Sequence, residues 1–82
     1  MRLPRNIRGD ELARLLNKYD YKITRQTGSH LRLTRILEEE HHITIPKHKS
    51  LKIGTLSSIL KDIAEHLGKT KEEILSELWG KG

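Results

Sequence analysis

The chain has 82 residues, of which 33% are charged and 34% are apolar, with a formal net charge of +5 and no cysteine. This length allows one core, so we expect a single domain over residues 1–82 without a deep cofactor cleft. The composition excludes disulfides and cysteine zinc sites, and no apolar run approaches the roughly 20 residues of a membrane span. We therefore expect a cytoplasmic protein that does not bind a membrane.

The first predicted element is a helix in "GDELARLLNKYDY", residues 9–21. Its apolar residues recur with the i, i+3, i+4, i+7 spacing of an amphipathic helix. Asp10 and Glu11 suit the positive end of the helix dipole.

Three stretches of alternating residues follow, at positions 21–26, 30–34 and 42–46. In the first, strict alternation places Tyr21, Ile23 and Arg25 on one side and residues 22, 24 and 26 on the other. Gly28 lies in the first turn, where it is free to adopt a positive φ, and Pro46 ends the third strand. Because the connections are short, the three strands form an antiparallel meander.

Two helices are predicted after the strands. An apolar stripe from Leu56 to Leu67 ends at Gly68, a typical residue just after a helix. Thr70 and Glu73 then have the spacing of a capping box that opens a short C-terminal helix. The predicted fold class is α+β, a two-layer α-β-β-β-α domain with an extra short helix.

One face of this sheet is apolar, and the opposite face is predicted to be open, cationic and rich in imidazole. Residues 22–52 contain seven Lys or Arg against three Glu, and they carry four of the five histidines. Such a surface suits a polyanion, of which nucleic acid is the commonest in a cytosol. The side chains expected on the open face are Lys22, Thr24, His30, Arg32, Thr34, His42 and Thr44.

His30 is the candidate for catalysis because it begins the central strand, with Arg32 about 7 Å further along the same face. RNA carries its own nucleophile, the 2′-hydroxyl. Its cleavage requires only a base for the 2′ proton, an acid for the 5′ oxygen and cations for the phosphorane charge. An imidazole can serve as either base or acid. A solvated strand histidine without a chemical role is an equally good interpretation of the sequence alone.

The segment "PKHKSLKIGT" is a candidate phosphate-binding loop, since its cations Lys47, Lys49 and Lys52 flank His48 ahead of a helix N-terminus. A solvated basic loop is the simpler alternative. His42 and His48 are both candidates for a second proton-transfer group. No metal site is expected, because adjacent strand residues such as His41 and His42 point to opposite faces.

The sequence also resembles a known family. The stretches "RGDELARLLNKYDYKITRQTGSHLRL", "HHITIPKHKSLKIGTLSSILKDI" and "KEEILSEL" are similar to HicA toxins of type II toxin–antitoxin pairs, over about residues 7–78. The most specific parts are "GSH" and "IPKHKSLKIGTLSSILK".

This resemblance implies a fold like a double-stranded-RNA-binding domain and ribosome-independent cleavage of mRNA, without a known metal requirement or cofactor. It implies that His30 is catalytic and that Gly28 lies in the matching turn. It also implies a hetero-oligomer with a HicB-like antitoxin that covers the active face. The RNA-binding residues expected beside His30 are Gly28, Ser29, Arg32, Lys47, His48, Lys49 and Lys52. The alternatives are an RNA-binding module without catalysis and an inactive subunit that only pairs with a partner.

Overall fold

The structure, a computed structural model, describes residues 3–80. The element order is α1 (Gly9–Leu15), a 3₁₀ turn (Leu16–Tyr19), β1 (Lys22–Gln26), β2 (His30–Arg35), β3 (His41–Pro46), α2 (Ile53–Leu67) and α3 (Lys71–Trp79). The predicted α+β class and its element order are confirmed. The described residues form two compact units, residues 6–51 and residues 52–80 with 3–5. None of the helices within residues 3–80 combines the length and hydropathy that crossing a bilayer requires.

In the unit formed by residues 6–51, the three strands make an antiparallel sheet in the order β1-β2-β3. The alternate residues Leu31, Leu33, Ile43 and Ile45 are buried on one face of this sheet, as predicted. Helix α1 packs on that face. A β-carbon added at Gly9 would lie 1.6 Å from the Pro46 carbonyl oxygen, so only glycine allows this approach.

Strand β1 departs from the predicted alternation. Ile23 lies opposite Leu33, but Arg25 lies opposite Arg32, so the extra residue Thr24 forms a β-bulge. The predicted position of Arg25 beside Tyr21 and Ile23 is therefore wrong. Since directly opposite residues share a face, Arg25 lies on the open face with Arg32.

The open face also differs from the prediction at Thr34, which is buried instead of exposed. Its hydroxyl lies 2.8 Å from the Thr24 hydroxyl and 2.8 Å from Nδ1 of His42. Nε2 of His42 in turn lies 2.6 Å from Glu40 Oε2. This hydrogen-bonded row crosses the three strands at the end of the sheet where β2 finishes.

In the unit that contains residues 52–80, both predicted helix boundaries are confirmed. Gly68 follows α2 with φ of 68°, in the left-handed region that favours glycine. At the start of α3, the Glu73 N–H donates to Thr70 Oγ1 at 3.1 Å, and the Thr70 N–H donates to Glu73 Oε1 at 2.9 Å. These two bonds satisfy amide donors that an uncapped helix start would leave free.

Candidate functional site

A cavity of about 390 Å³ lies at the end of the sheet where β2 begins and β3 ends. Two segments line it, the β1–β2 turn with the first residue of β2, and the last residue of β3 with the loop that follows it. They contribute Gly28, Ser29, His30, Pro46, Lys47, His48 and Lys49. The sequence predicts eight catalytic or RNA-binding residues, and six of them line this pocket. The two that do not are Arg32 and Lys52.

Backbone hydrogen bonds join the two segments. His30 is directly opposite Pro46 in the sheet register, and the Lys47 N–H donates to the Ser29 carbonyl at 2.8 Å. On its other side, the Lys47 carbonyl accepts from the Asp10 N–H of α1 at 3.1 Å. The basic loop is therefore held on the β1–β2 turn by main-chain bonds that do not depend on its side chains.

The β1–β2 turn is shaped by Thr27, a residue whose role the sequence pattern does not indicate. Its hydroxyl accepts from the His30 N–H at 3.0 Å and from the Ser29 N–H at 3.4 Å. A side-chain oxygen thereby satisfies the turn amides, as threonine often does. Gly28 does not adopt a positive φ, and a β-carbon added there would meet nothing within 4 Å.

The His30 side chain is exposed, and Nδ1 lies 2.9 Å from Ser29 Oγ. No other partner of this ring occurs within residues 3–80, so Nε2 makes no hydrogen bond there, and His30 itself lines the pocket. If Nδ1–H donates to Ser29, Nε2 has a lone pair for a base. In the imidazolium form both ring nitrogens carry protons, so Nδ1–H still donates to Ser29 and Nε2–H is available as an acid.

The basic residues around His30 have different surroundings. The Lys47 ammonium donates to Gln26 Oε1 at 3.0 Å. His48 and Lys49 are exposed, and neither side chain has a partner among the described residues. Positive groups without acidic partners in a small pocket favour an anionic ligand.

An acidic side chain does lie behind this loop, at the start of α1. Desolvation raises the pKa of the Asp10 carboxyl, but the hydrogen bond and positive charge of Arg8, together with backbone hydrogen bonds at Glu11 and Asp10, outweigh it. The pKa of Asp10 is therefore lower than its ordinary value. Asp10 is already paired with Arg8 at 3.3 Å. It therefore does not compete with an external anion for the pocket lysines.

Two predicted residues lie outside the pocket lining. Arg32 is exposed on the open face, two positions along β2 from His30. Lys52 is exposed at the residue that precedes α2, where its side chain makes no capping bond.

The structure separates the two candidates for a second proton-transfer group. His48 lines the pocket with His30. His42 lies opposite Thr34, four residues along β2 from His30, which corresponds to roughly 13 Å. His42 therefore belongs to the hydrogen-bonded row at the other end of the sheet. Within residues 3–80, no three His, Asp or Glu side chains are grouped so as to hold a metal ion.

Fold and site together define a small basic α+β protein with an exposed histidine among cations at one end of an open sheet. The family is shown by a model described as "HicA toxin of bacterial toxin-antitoxin", which matches residues 9–64. This is more than half of the chain, so the chain belongs to the HicA toxin family, and a cognate antitoxin is implied as its partner. No curated protein and no solved structure matched the chain.

Proposed function

We propose that this toxin is a cytoplasmic endoribonuclease that cleaves mRNA without a metal ion, with His30 as a general acid or base. The observation that carries the proposal is the pocket in which His30, whose Nε2 has no partner among residues 3–80, shares a lining with Lys47, His48 and Lys49. Membership in the toxin family supports it, since a toxin needs a destructive activity.

The proposed reaction uses the 2′-hydroxyl of the substrate as nucleophile. A base takes the 2′ proton while the 2′ oxygen bonds to phosphorus, and the bond from phosphorus to the 5′ oxygen breaks. An acid protonates that leaving oxygen, so the products are a 2′,3′-cyclic phosphate and a 5′-hydroxyl. Lysine ammonium groups stabilise the extra negative charge on the phosphorane.

His30 and His48 are the two imidazoles that line the pocket, and we assign the two proton transfers to them. Ser29 orients the His30 ring, and Gly28 leaves room for the ribose-phosphate chain beside it. Arg32 and Lys52 are proposed as further RNA contacts outside the pocket.

The first test is His30→Ala, compared with His66→Ala in α2 as a matched control. Loss of general acid–base catalysis slows cleavage by about 10²–10⁴-fold. RNA affinity and thermal stability stay close to those of the unaltered protein, because His30 is exposed. The His66→Ala protein cleaves normally.

The product ends test the chemistry. Mass spectrometry of RNA fragments made in excess chelator is expected to show 2′,3′-cyclic phosphates. Fragments with 5′-phosphates and 3′-hydroxyls would instead indicate water as the nucleophile. RNA binding without any cleavage by the unaltered protein would favour the non-catalytic RNA-binding module.

A further inference from the structure

The β-bulge at Thr24 creates a feature that strict alternation does not predict, a pair of arginines facing each other across two strands. Arg25 and Arg32 are directly opposite in the register of β1 and β2. The Thr24 hydroxyl stabilises the bulge, since it lies 2.8 Å from the Thr34 hydroxyl and donates to the Arg32 carbonyl at 3.4 Å.

This arginine pair is unfavourable for the free protein. Like charges directly opposite in a sheet repel each other. Both residues are exposed, and no acidic side chain in the described part of the chain pairs with either. An external anion bound between the two arginines would reduce this repulsion.

The geometry suits one phosphate in particular. Directly opposite residues have Cα atoms about 4.5–5.5 Å apart, so two guanidinium groups can converge on a single group. The planar fork of arginine matches two oxygens of a phosphate. Arg32 also lies about 7 Å along β2 from His30, a distance comparable to the step between neighbouring phosphates in an RNA strand.

We propose that Arg25 and Arg32 jointly bind the RNA phosphate adjacent to the one at His30, so that the strand crosses the open face from the pocket over β2 to β1. This inference depends on the proposed function. It identifies Arg25 as a substrate contact that does not contribute to sequence specificity. The contact is electrostatic and carries no base sequence information.

The test measures binding of a short fluorescent single-stranded RNA to the non-cleaving His30→Ala protein at several salt concentrations. In that background, Arg25→Gln, Arg32→Gln and the double variant are compared with Arg14→Gln, which removes an exposed arginine of α1. We expect the double variant to bind about tenfold more weakly or worse. The salt slope should fall by about 0.7, as for one lost phosphate contact on a single strand.

The two arginines should also be coupled, since they share one phosphate. After the first substitution, the second should cost less than it does alone. Thermal unfolding of both single variants should occur at or above the midpoint of the parent, because repulsion is relieved.

The proposal is overturned if the double variant binds RNA as tightly as Arg14→Gln does. This conclusion holds even if the double variant no longer binds an acidic protein partner. The proposal is also overturned if both single variants unfold at lower temperature, since the pair would then have a structural role. Cleavage by the protein with His30 intact is measured separately. Cleavage without arginine-dependent binding rejects the arginine site alone, whereas arginine-dependent binding without cleavage rejects the nuclease alone.

Discussion

At the scale of single residues, His42 and His48 carry the same side chain but differ in their hydrogen bonds. His42 is bonded on both ring nitrogens, to Thr34 and to Glu40. His48 is exposed in the pocket with no partner among the described residues. The first histidine stabilises the sheet, and the second remains available for a ligand.

We therefore expect opposite results from His42→Ala and His48→Ala. Removing His42 leaves the buried Thr34 hydroxyl with fewer partners and lowers the free energy of unfolding by about 1 kcal/mol, while cleavage is kept. Removing His48 leaves stability unchanged and slows cleavage by about 10²-fold or more. Urea unfolding and initial cleavage rates measure the two effects.

The paired variants control for each other. A His48→Ala protein that cleaves at the normal rate would contradict the assignment of the second proton transfer. The same conclusion would follow if only His42→Ala lost activity without losing stability.

At the scale of the elements, α1 positions the site through its first turn. Gly9 contacts the Pro46 carbonyl, and the next residue donates its N–H to the Lys47 carbonyl. The close approach of helix and strand thus fixes the residues that begin the basic loop.

Gly9→Ala should destabilise the protein, whereas Gly54→Ala should not. The new methyl group at residue 9 would overlap backbone atoms of β3, which costs about 1–3 kcal/mol or more. Gly54 also lies in the first turn of a helix, but a β-carbon there meets nothing within 4 Å. Alanine at residue 54 therefore raises the free energy of unfolding by up to about 1 kcal/mol through helix propensity.

Chemical unfolding of the two variants checks this pair, and cleavage assays add a second measurement. Gly9→Ala should also cleave more slowly, because Pro46 and Lys47 must shift. Equal unfolding midpoints for the two alanine variants would show that α1 can move away from β3 without loss.

The sequence predicted the elements better than it predicted the details of the sheet. Apolar periodicity and the Thr70–Glu73 capping box depend on local residues, so they could be recognised directly. The bulge at Thr24 could not, because nothing in an alternating stretch marks which residue is left unpaired. One inserted residue then moved Arg25 to the opposite face. Similarly, the turn uses the Thr27 hydroxyl where a glycine with positive φ was expected, and both solutions are compatible with Thr-Gly-Ser.

Six residues of the candidate site could be predicted from the sequence. They belong to two short motifs, "GSH" and "PKHK", that lie next to the same pair of strands. The sequence could not choose between His42 and His48. That choice depends on the strand register, which places Thr34 beside His42 and Pro46 beside His30. Register is a property of paired strands and cannot be obtained from either strand alone.

At the scale of the whole molecule, positive charge is concentrated where the candidate site lies. Residues 22–52 carry seven Lys or Arg against three Glu, whereas residues 53–82 carry four against five acidic residues. A surface of this kind attracts RNA, and it equally attracts an acidic partner protein. Family membership implies a cognate antitoxin, so RNA and antitoxin are expected to compete for one surface.

We expect the cognate antitoxin that family membership implies to displace RNA from the non-cleaving His30→Ala toxin. Displacement should be complete at stoichiometric antitoxin, since both ligands need the pocket of His30 and its lysines. The association rate of toxin and antitoxin should fall by about tenfold or more between low and high salt, as for a charge-steered complex. Fluorescence anisotropy of labelled RNA measures displacement, and stopped-flow mixing measures the rate. A stable ternary complex of toxin, RNA and antitoxin would show that the antitoxin binds elsewhere and inhibits without covering the cationic face.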